Sequence, residues 1–184
     1  MESNNMKDNI VLHGLSFRPY LPEGQIAERV TELGQHISRD YQGKSPLFLA
    51  VLNGAFMFAA DLIRACEIDC SIAFIRLASY DGLNSSGRVK TVIGLQEDIK
   101  GRDVIIIEDI VDTGQTMSHF IPQLEEMWPA SVAIASLLVK TEALECDVDI
   151  RYTGFEIPTK FVIGYGLDYD GLGRNFPEIY QLAD

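Results

Sequence analysis

The chain has 184 residues, of which 47% are hydrophobic and 23% are charged, and these values are ordinary for a single globular domain. Its 15 Lys and Arg residues against 27 Asp and Glu residues give a net charge of −12, which argues against nucleic acid or an anionic membrane surface as a partner. Neither a signal-peptide pattern at the start nor an apolar run long enough to span a membrane is present, so we expect a cytoplasmic protein.

The first predicted elements are helices and a strand on the amino-terminal side. Between Pro22 and Gly43, apolar residues recur at helical spacing and predict a helix. Leu47–Leu52 is predicted to be a buried strand and 55–66 an apolar helix, with the Asn53-Gly54 step as the tight loop between them. Such a loop lies at the carboxyl edge of a parallel sheet, which is the ligand side of open α/β folds.

A further strand is predicted over Ser71–Leu77, and the composition then changes. Residues 79–88 are rich in Gly, Ser and Asn and almost free of apolar residues, which predicts a loop that is mobile without ligand. Residues 89–94 are predicted to return as the second arm of the same ribbon.

The central element of the chain is the run 104–107. Its four β-branched apolar residues cannot all point inward on a strand with one solvated face, so the run predicts a parallel strand covered on both faces. The run ends in two carboxylates, Glu108 and Asp109, which we call the acid pair. Asp112 follows after two apolar residues, and apolar residues at helical spacing begin at Met117. This strand, loop and helix place the loop where open α/β sheets bind ligands.

The loop after the acid pair has two chemical halves. Backbone N–H groups around Gly114, with the hydroxyl groups of Thr113 and Thr116, suit a phosphate at the N-terminus of the helix. The acid pair would repel a phosphate at the same distance, and instead suits sugar hydroxyls or polyphosphate approached through Mg²⁺. A phosphorylated, hydroxylated ligand satisfies both halves. The alternative is an acidic turn in which Asp112 caps the helix.

Two more segments follow this loop and helix. Ser131–Val139 is predicted to be a buried strand with Lys140 at its carboxyl end, where a lysine is commonly solvated. Residues 160–169 suit a final strand, and as part of that strand Phe161 would belong to the core.

The segment from Glu108 to Thr116 resembles the phosphoribosyl-pyrophosphate binding motif of type I phosphoribosyltransferases, in particular that of the hypoxanthine-guanine branch. Three other segments match this branch in the same order, within about residues 47–176. These are the Asn53-Gly54 loop, Leu137-Leu138-Val139-Lys140-Thr141 and Lys160-Phe161-Val162-Ile163-Gly164-Tyr165-Gly166-Leu167-Asp168-Tyr169. The Ser79-Tyr80 pair also resembles the start of the family's lid, which would exclude water from a reactive sugar cation.

The resemblance implies an α/β fold with a mostly parallel central sheet, helices on both of its faces and a small hood. It implies one domain over 1–184, with the hood from about 1–20 and 155–184 and a flexible lid over about 79–90. It also implies a homodimer or homotetramer. The implied reaction transfers the phosphoribosyl group of 5-phosphoribosyl-1-pyrophosphate to N9 of hypoxanthine or guanine, with Mg²⁺ as cofactor.

On the sugar side, the resemblance assigns Thr113, Gly114, Gln115 and Thr116 to the 5′-phosphate. It assigns the acid pair to the ribose hydroxyls and to the nearby Mg²⁺. The pyrophosphate is assigned to Mg²⁺ held by Asp168, to Arg174 and to the backbone of the Asn53-Gly54 loop. Relatives often have a Lys or Arg before this glycine, so with Asn53 the contact comes from amide groups alone.

On the base side, the resemblance assigns Asp112 to accept the proton from purine N7 as N9 attacks. It assigns Lys140 to the 6-oxygen, which a lysine favours over an amino group because it can only donate hydrogen bonds. Phe161 is assigned to stack on the base, and the Val162 backbone to meet its Watson–Crick edge.

Two other functions remain open at this point. One is a regulatory protein that binds phosphoribosyl pyrophosphate without purine transferase activity and binds nucleic acid, but such a protein should have a basic face and this chain is acidic. The other is a doubly wound domain for a different phosphate metabolite, since such sheets carry many functions.

Overall fold

A computed structural model of the chain describes residues 8–77 and 91–183. The predicted lid over 79–90, with Ser79 and Tyr80, lies outside the described residues. None of the helices within the described ranges combines the length and the hydropathy needed to cross a membrane.

In chain order the strands are β1 (Ile10–Leu12), β2 (Leu15–Leu21), β3 (Leu47–Leu52), β4 (Ser71–Leu77), β5 (Thr91–Ile93), β6 (Asp103–Val111), β7 (Ser131–Val139), β8 (Tyr152–Glu156), β9 (Val162–Ile163) and β10 (Ile179–Leu182). The helices are α1 (Glu23–Asp40), α2 (Phe56–Ala65) and α3 (Gln115–Glu125), with a short 3-10 helix at Thr141–Ala143. The predicted bounds of β3, β4 and β7 agree with these, and those of α2 agree to within one residue at each end.

The larger sheet has the order β5-β4-β3-β6-β7-β8. β4, β3, β6, β7 and β8 are parallel, and β5 pairs antiparallel with β4 as the predicted ribbon requires. The chain leaves β3 toward β4 on one side and leaves β6 toward β7 and β8 on the other. The predicted α/β fold is therefore confirmed, and the strand order reverses between β3 and β6, where such sheets bind ligands.

Side chains of the central strand β6 enter two separate hydrophobic clusters. Ile105 and Ile107 pack with residues of α1 and α2. Val104 and Ile106 pack on the opposite face with residues of α3. The prediction of a strand covered on both faces is confirmed, because successive side chains of a strand point to opposite sides.

The hydrophobic pattern of β6 predicted that this strand ends at the acid pair, but the observed strand is longer. It continues to Val111 and pairs with β7 as far as Val111 and Val139. Its pairing with β3, by contrast, stops at Ala50 and Ile107. The acid pair therefore lies on a strand that is hydrogen-bonded on the β7 side and open on the β3 side.

A second, antiparallel sheet has the order β1-β2-β10-β9 and corresponds to the predicted hood. It joins the two ends of the described chain, since Phe17 of β2 pairs with Leu182 of β10. Phe17, Ile163 and Tyr180 form its buried cluster. β8 belongs to the larger sheet, so the C-terminal part of the hood sheet begins at β9.

Candidate active site

Three segments of the chain meet beside the open edge of β6. Gly54 lies so close to Asp109 that a Cβ at position 54 would overlap Asp109 Oδ2. The carbonyl oxygen of Gly54 occupies the position that a Cβ of Gly166 would take. Both positions require glycine because of this close approach. The loop begins with a cis peptide bond between Leu52 and Asn53, and the Asn53 side chain is exposed.

The two carboxylates of the acid pair point to opposite faces of β6, because side chains alternate along a strand. Glu108 is buried and lines a cavity of about 110 Å³ at the start of α3, together with Asp112, Thr113 and Thr116. Asp109 instead faces the Asn53-Gly54 loop that precedes α2. The two members of the acid pair therefore face different loops, Glu108 the loop before α3 and Asp109 the loop before α2.

Burial dominates the electrostatics of the acid pair. It raises the pKa of Glu108 well above the ordinary value, and the charge of Asp109 adds to this rise. Glu108 Oε2 is buried and has no hydrogen-bond partner among the described residues. Burial also raises the pKa of Asp109 to about 6; the Ile110 N–H and the charge of Arg174 oppose this rise, whereas Asp168 adds to it. Buried carboxylates of this kind favour a ligand that brings donors or positive charge.

The loop between β6 and α3 exposes the N-terminus of the helix. The residue before α3 is Gly114, which has a φ of +80° and no side chain to cap the helix. Asp112 is therefore not the helix cap, and the alternative of an acidic capping turn is wrong. The Gln115 N–H lies 3.4 Å from Thr113 Oγ1, and Gln115 Nε2 donates to Glu145 Oε2 (2.7 Å). The amide groups of this first turn suit an anion.

Asp112 and Lys140 form an ion pair at the ends of two adjacent strands. Lys140 Nζ lies 2.5 Å from Asp112 Oδ2. The backbone holds the pair in place, because the Lys140 N–H donates to the Val111 carbonyl oxygen (3.0 Å). The Lys140 side chain is only 12% exposed, so it is not the solvated strand-end lysine that position alone suggested. Asp112 is half exposed and borders the cavity.

Phe161 and Val162 lie at the edge of the hood sheet, where β9 begins. Phe161 is 44% exposed, so it is not a core side chain, and its ring contacts those of Phe17 and Tyr169. The Leu182 N–H donates to the Phe161 carbonyl oxygen (2.9 Å). In an antiparallel ladder the backbone groups of the next residue then point away from the partner strand. The N–H and C=O of Val162 therefore face the outer edge of the hood sheet, where β9 is the last strand.

Asp168 and Arg174 form the third part of the site. Arg174 Nη2 lies 2.6 Å from Asp168 Oδ1, and Arg174 Nη1 donates to the Gly166 carbonyl oxygen (2.6 Å). Asp168 Oδ2 accepts from the Gly171 N–H (2.8 Å). The guanidinium group is thus fixed beside Gly166, which itself packs on Gly54.

Comparison with known proteins gives the family of this chain. The family model for the phosphoribosyl transferase domain matches residues 19–170. The chain belongs to the phosphoribosyl transferase family. It is 38% identical over 175 residues to the hypoxanthine-guanine phosphoribosyltransferase of Aquifex aeolicus, covering 94% of this chain and 98% of that protein.

The fold of this chain is similar to a crystal structure of a hypoxanthine phosphoribosyltransferase from Staphylococcus aureus, with a TM-score of 0.86. The two are 38% identical, and the match covers 96% of this chain and 98% of that chain. The chain is also 35% identical to the bifunctional protein TilS/HprT of Listeria monocytogenes. That match covers 96% of this chain but only 28% of the length of the bifunctional protein.

The carboxylates of this site fit the Mg²⁺ that the resemblance implies. In the described ranges, no group of three or more His, Cys, Asp or Glu residues could hold a metal. However, Asp109 and Asp168 are close enough for the charge of one to affect the pKa of the other. Mg²⁺ is commonly held by one or two carboxylates together with substrate phosphates and water. This site therefore suits a metal ion that binds together with a phosphorylated ligand.

The sequence analysis did not identify Tyr165 and Asp61 as a pair. The Tyr165 hydroxyl donates to Asp61 Oδ2 (2.6 Å) and so joins the C-terminal segment to α2. Burial is the largest cause that raises the pKa of Tyr165, and the bond to Asp61 adds to it. No local pattern relates these two residues, and the only signal that could have drawn attention to Tyr165 is the glycine on each side of it.

The Gly54→Ala variant is expected to lose about 1–3 kcal/mol of unfolding free energy, because the new Cβ overlaps Asp109 and forces the loop to shift. Urea unfolding of the purified variant measures this loss. The matched control is Gly24→Ala in the first turn of α1, where a Cβ would meet no atom within 4 Å. Alanine is the better helix former, so the control should retain or gain stability. Equal stability of the two variants would show that the Gly54 contact is not tight.

The raised pKa of Asp109 predicts a pH dependence of stability in the ligand-free protein. Between about pH 4 and pH 6 the carboxyl group of Asp109 keeps its proton in the folded state but has lost it in the unfolded state. The stability that this difference provides is therefore fully present below the ordinary pKa of 3.8 and is lost as the pH rises through about 6. The loss is on the order of 3 kcal/mol.

Urea unfolding of the protein and of Asp109→Asn, both with a chelator, would measure this contribution. The stability of the unsubstituted protein relative to the variant should fall from about pH 4 to about pH 7. If the difference between the two stays constant over this range, burial of Asp109 does not have the expected cost.

Proposed function

We propose that this chain is a purine salvage enzyme that transfers the phosphoribosyl group from 5-phosphoribosyl-1-pyrophosphate to N9 of hypoxanthine or guanine. The products are the nucleoside monophosphate and pyrophosphate. The observation that carries this proposal is the Asp112–Lys140 ion pair, which lies beside the uncapped N-terminus of α3. The names of the relatives and of the solved structures support the same reaction.

The sugar phosphate binds in the cleft between β6 and α3. Its 5′-phosphate is held by the backbone amides of residues 113–116 and by the hydroxyls of Thr113 and Thr116, at the uncapped start of α3. Glu108 lies in the same cavity and accepts hydrogen bonds from the ribose hydroxyls, which satisfies its unpartnered buried oxygen. Asp109 completes this contact from the opposite face of β6.

The pyrophosphate group lies on the side of the Asn53-Gly54 loop. Arg174 is fixed there by Gly166 and Asp168, and its planar fork suits phosphate oxygens. Asp109 and Asp168 would hold Mg²⁺ there. When it is bound, Mg²⁺ supplies positive charge against the leaving pyrophosphate.

The purine binds between the strand ends and the hood. N7 and the 6-oxygen lie on the same edge of the ring, so a base placed there meets Asp112 and Lys140 together. The base then replaces their ion pair with two hydrogen bonds, one to each side chain. Phe161 stacks on the ring, which its exposed position allows. The outward-facing backbone of Val162 meets the Watson–Crick edge.

The chemical step forms the bond from N9 to the anomeric carbon and breaks the bond from that carbon to pyrophosphate. Positive charge develops on the sugar ring, as in other glycosyl transfers. The carboxylate of Asp112 accepts the N7 proton as N9 attacks, and the half-exposed position of Asp112 leaves it accessible to the base.

The resemblance supports three further parts of the proposal. The chain forms one phosphoribosyltransferase domain over 1–184, with the hood from about 1–20 and 155–184. A flexible lid over about 79–90, which begins at Ser79 and Tyr80, covers the reacting centre. The protein assembles as a homodimer or homotetramer.

The proposal is tested by incubating the purified chain with hypoxanthine, 5-phosphoribosyl-1-pyrophosphate and MgCl₂ and by measuring inosine monophosphate by chromatography. Guanine, xanthine and adenine in parallel reactions define the base preference. We expect nucleotide from hypoxanthine and guanine. Binding of the sugar pyrophosphate without any nucleotide would instead favour the regulatory alternative and would refute the proposed reaction.

A further inference from the structure

We propose that the hydrogen bond from Tyr165 to Asp61 is a positioning contact that sets the distance between the two parts of the pyrophosphate site. One part is the Asn53-Gly54 loop, and the other is the loop with Asp168 and Arg174. This inference rests on the proposed function. Tyr165 and Asp61 do not touch the reacting atoms in this assignment, and they act through the backbone of the two loops.

The conformation of Tyr165 indicates that its position is determined by its surroundings. It is a large, buried side chain, yet its φ is +48°, in the left-handed region that bulky residues rarely adopt. Its N–H donates to the Phe176 carbonyl oxygen (2.8 Å), and its hydroxyl donates to Asp61 Oδ2 (2.6 Å). Hydrogen bonds at both ends therefore hold this residue in its strained backbone conformation.

The residue after Tyr165 connects the two loops directly. Gly166 packs on the carbonyl oxygen of Gly54, leaving no space for a Cβ. The carbonyl oxygen of Gly166 accepts from Arg174 Nη1 (2.6 Å), and the Gly166 N–H donates to the Arg174 carbonyl oxygen (3.0 Å). Gly166 therefore contacts both the Gly54 loop and Arg174, so its position affects the distance between them.

Asp61 connects Tyr165 to the other loop. It lies in α2, the helix that begins at Phe56, directly after the Asn53-Gly54 loop. The contact from Tyr165 to this helix therefore links the residue before Gly166 to the element that follows the Asn53-Gly54 loop. The base-binding residues Phe161 and Val162 are held separately by β10. Loss of the Tyr165 hydroxyl should therefore affect pyrophosphate contacts more than base contacts.

The test is steady-state kinetics of Tyr165→Phe, which removes the hydroxyl and retains the ring. We expect KM for 5-phosphoribosyl-1-pyrophosphate to rise about three- to tenfold, the effect of one hydrogen bond. KM for hypoxanthine and kcat should stay within about twofold. Asp61→Ala should give the same change in KM. Asp61→Asn should keep KM close to its original value, because the amide oxygen of asparagine still accepts the hydrogen bond. The double variant Tyr165→Phe with Asp61→Ala should raise KM no further than either single variant does.

The matched control is Tyr152→Phe, since the Tyr152 hydroxyl donates to Asp40 Oδ2 (2.7 Å) at the opposite end of the sheet. It loses a comparable bond and should leave KM for the sugar pyrophosphate unchanged. Asp61 is half exposed, so Asp61→Ala decides the matter if Tyr165→Phe does not fold. An unchanged KM in Tyr165→Phe or Asp61→Ala, or an equal rise in the Tyr152→Phe control, overturns the inference while the unsubstituted chain still makes nucleotide. If that chain makes none, the proposed function itself fails.

Discussion

The Asp112→Asn variant is expected to lower kcat for hypoxanthine by about 10²–10⁴-fold, which is the usual contribution of a general base. Asparagine retains the size of the side chain but cannot accept the N7 proton. Because Asp112 borders the cavity with an exposed face, the substitution leaves the amides that suit the 5′-phosphate in place. The dissociation constant for 5-phosphoribosyl-1-pyrophosphate, measured by calorimetry with MgCl₂, should therefore stay nearly constant.

Two measurements separate this role from an indirect one. The control variant is Asp147→Asn, which changes an exposed aspartate after β7 and should retain full turnover. The loss of kcat in Asp112→Asn should also persist at saturating concentrations of both substrates, because the chemical step is affected rather than binding. Unchanged turnover would exclude Asp112 as the base.

The Lys140→Met variant is expected to lower kcat/KM for hypoxanthine by about 10–100-fold, since a hydrogen bond from a charged donor to the 6-oxygen is lost. Adenine should lose far less, because its 6-amino group gains nothing from a lysine donor. The ratio of the two kcat/KM values measures the change in selectivity. Methionine was chosen because its side chain is similar in volume to that of lysine. The Lys140 side chain is only 12% exposed, so a smaller residue would leave a gap in the packing.

Lys140→Arg is the control for this second prediction, because it retains the positive charge and the donors. It should retain the preference for 6-oxopurines even if its larger head lowers the rate. If the hypoxanthine to adenine ratio stays the same in Lys140→Met, the lysine does not read the 6-oxygen, and its ion pair with Asp112 has only a structural role.

The parts of the fold that the sequence predicted best are strands that consist almost entirely of apolar residues. β3, β4 and β7 were predicted with the observed bounds, since their apolar runs coincide with their hydrogen bonding. β6 was predicted to end too early because its apolar run stops at Ile107. Its ladder with β7 continues through Glu108, and pairing with a neighbour is not visible in the composition of one strand.

The site was predicted in its residue types but not in its arrangement. Successive side chains of a strand point to opposite faces, so Glu108 and Asp109 lie on opposite faces of β6. This could have been inferred if the predicted strand had been extended through both residues. The ion pair between Asp112 and Lys140 depends on two strands becoming neighbours, and no spacing in the sequence indicates it. The Tyr165 contact likewise arises only from the tertiary structure. The roles of these residues in binding and catalysis remain proposals.

The pairing of β2 with β10 has a consequence for the order of assembly during synthesis on the ribosome. Strands β3, β4, β6 and β7 and helices α1 and α2 contact one another without β9 or β10, so this part of the chain can fold before those two strands are translated. Phe161 and Val162 must wait until β10 has been translated, because this strand links β9 to β2. A nascent chain stalled before Ile179 would therefore have the residues proposed to bind the sugar phosphate in place, but not the ordered segment proposed to bind the purine.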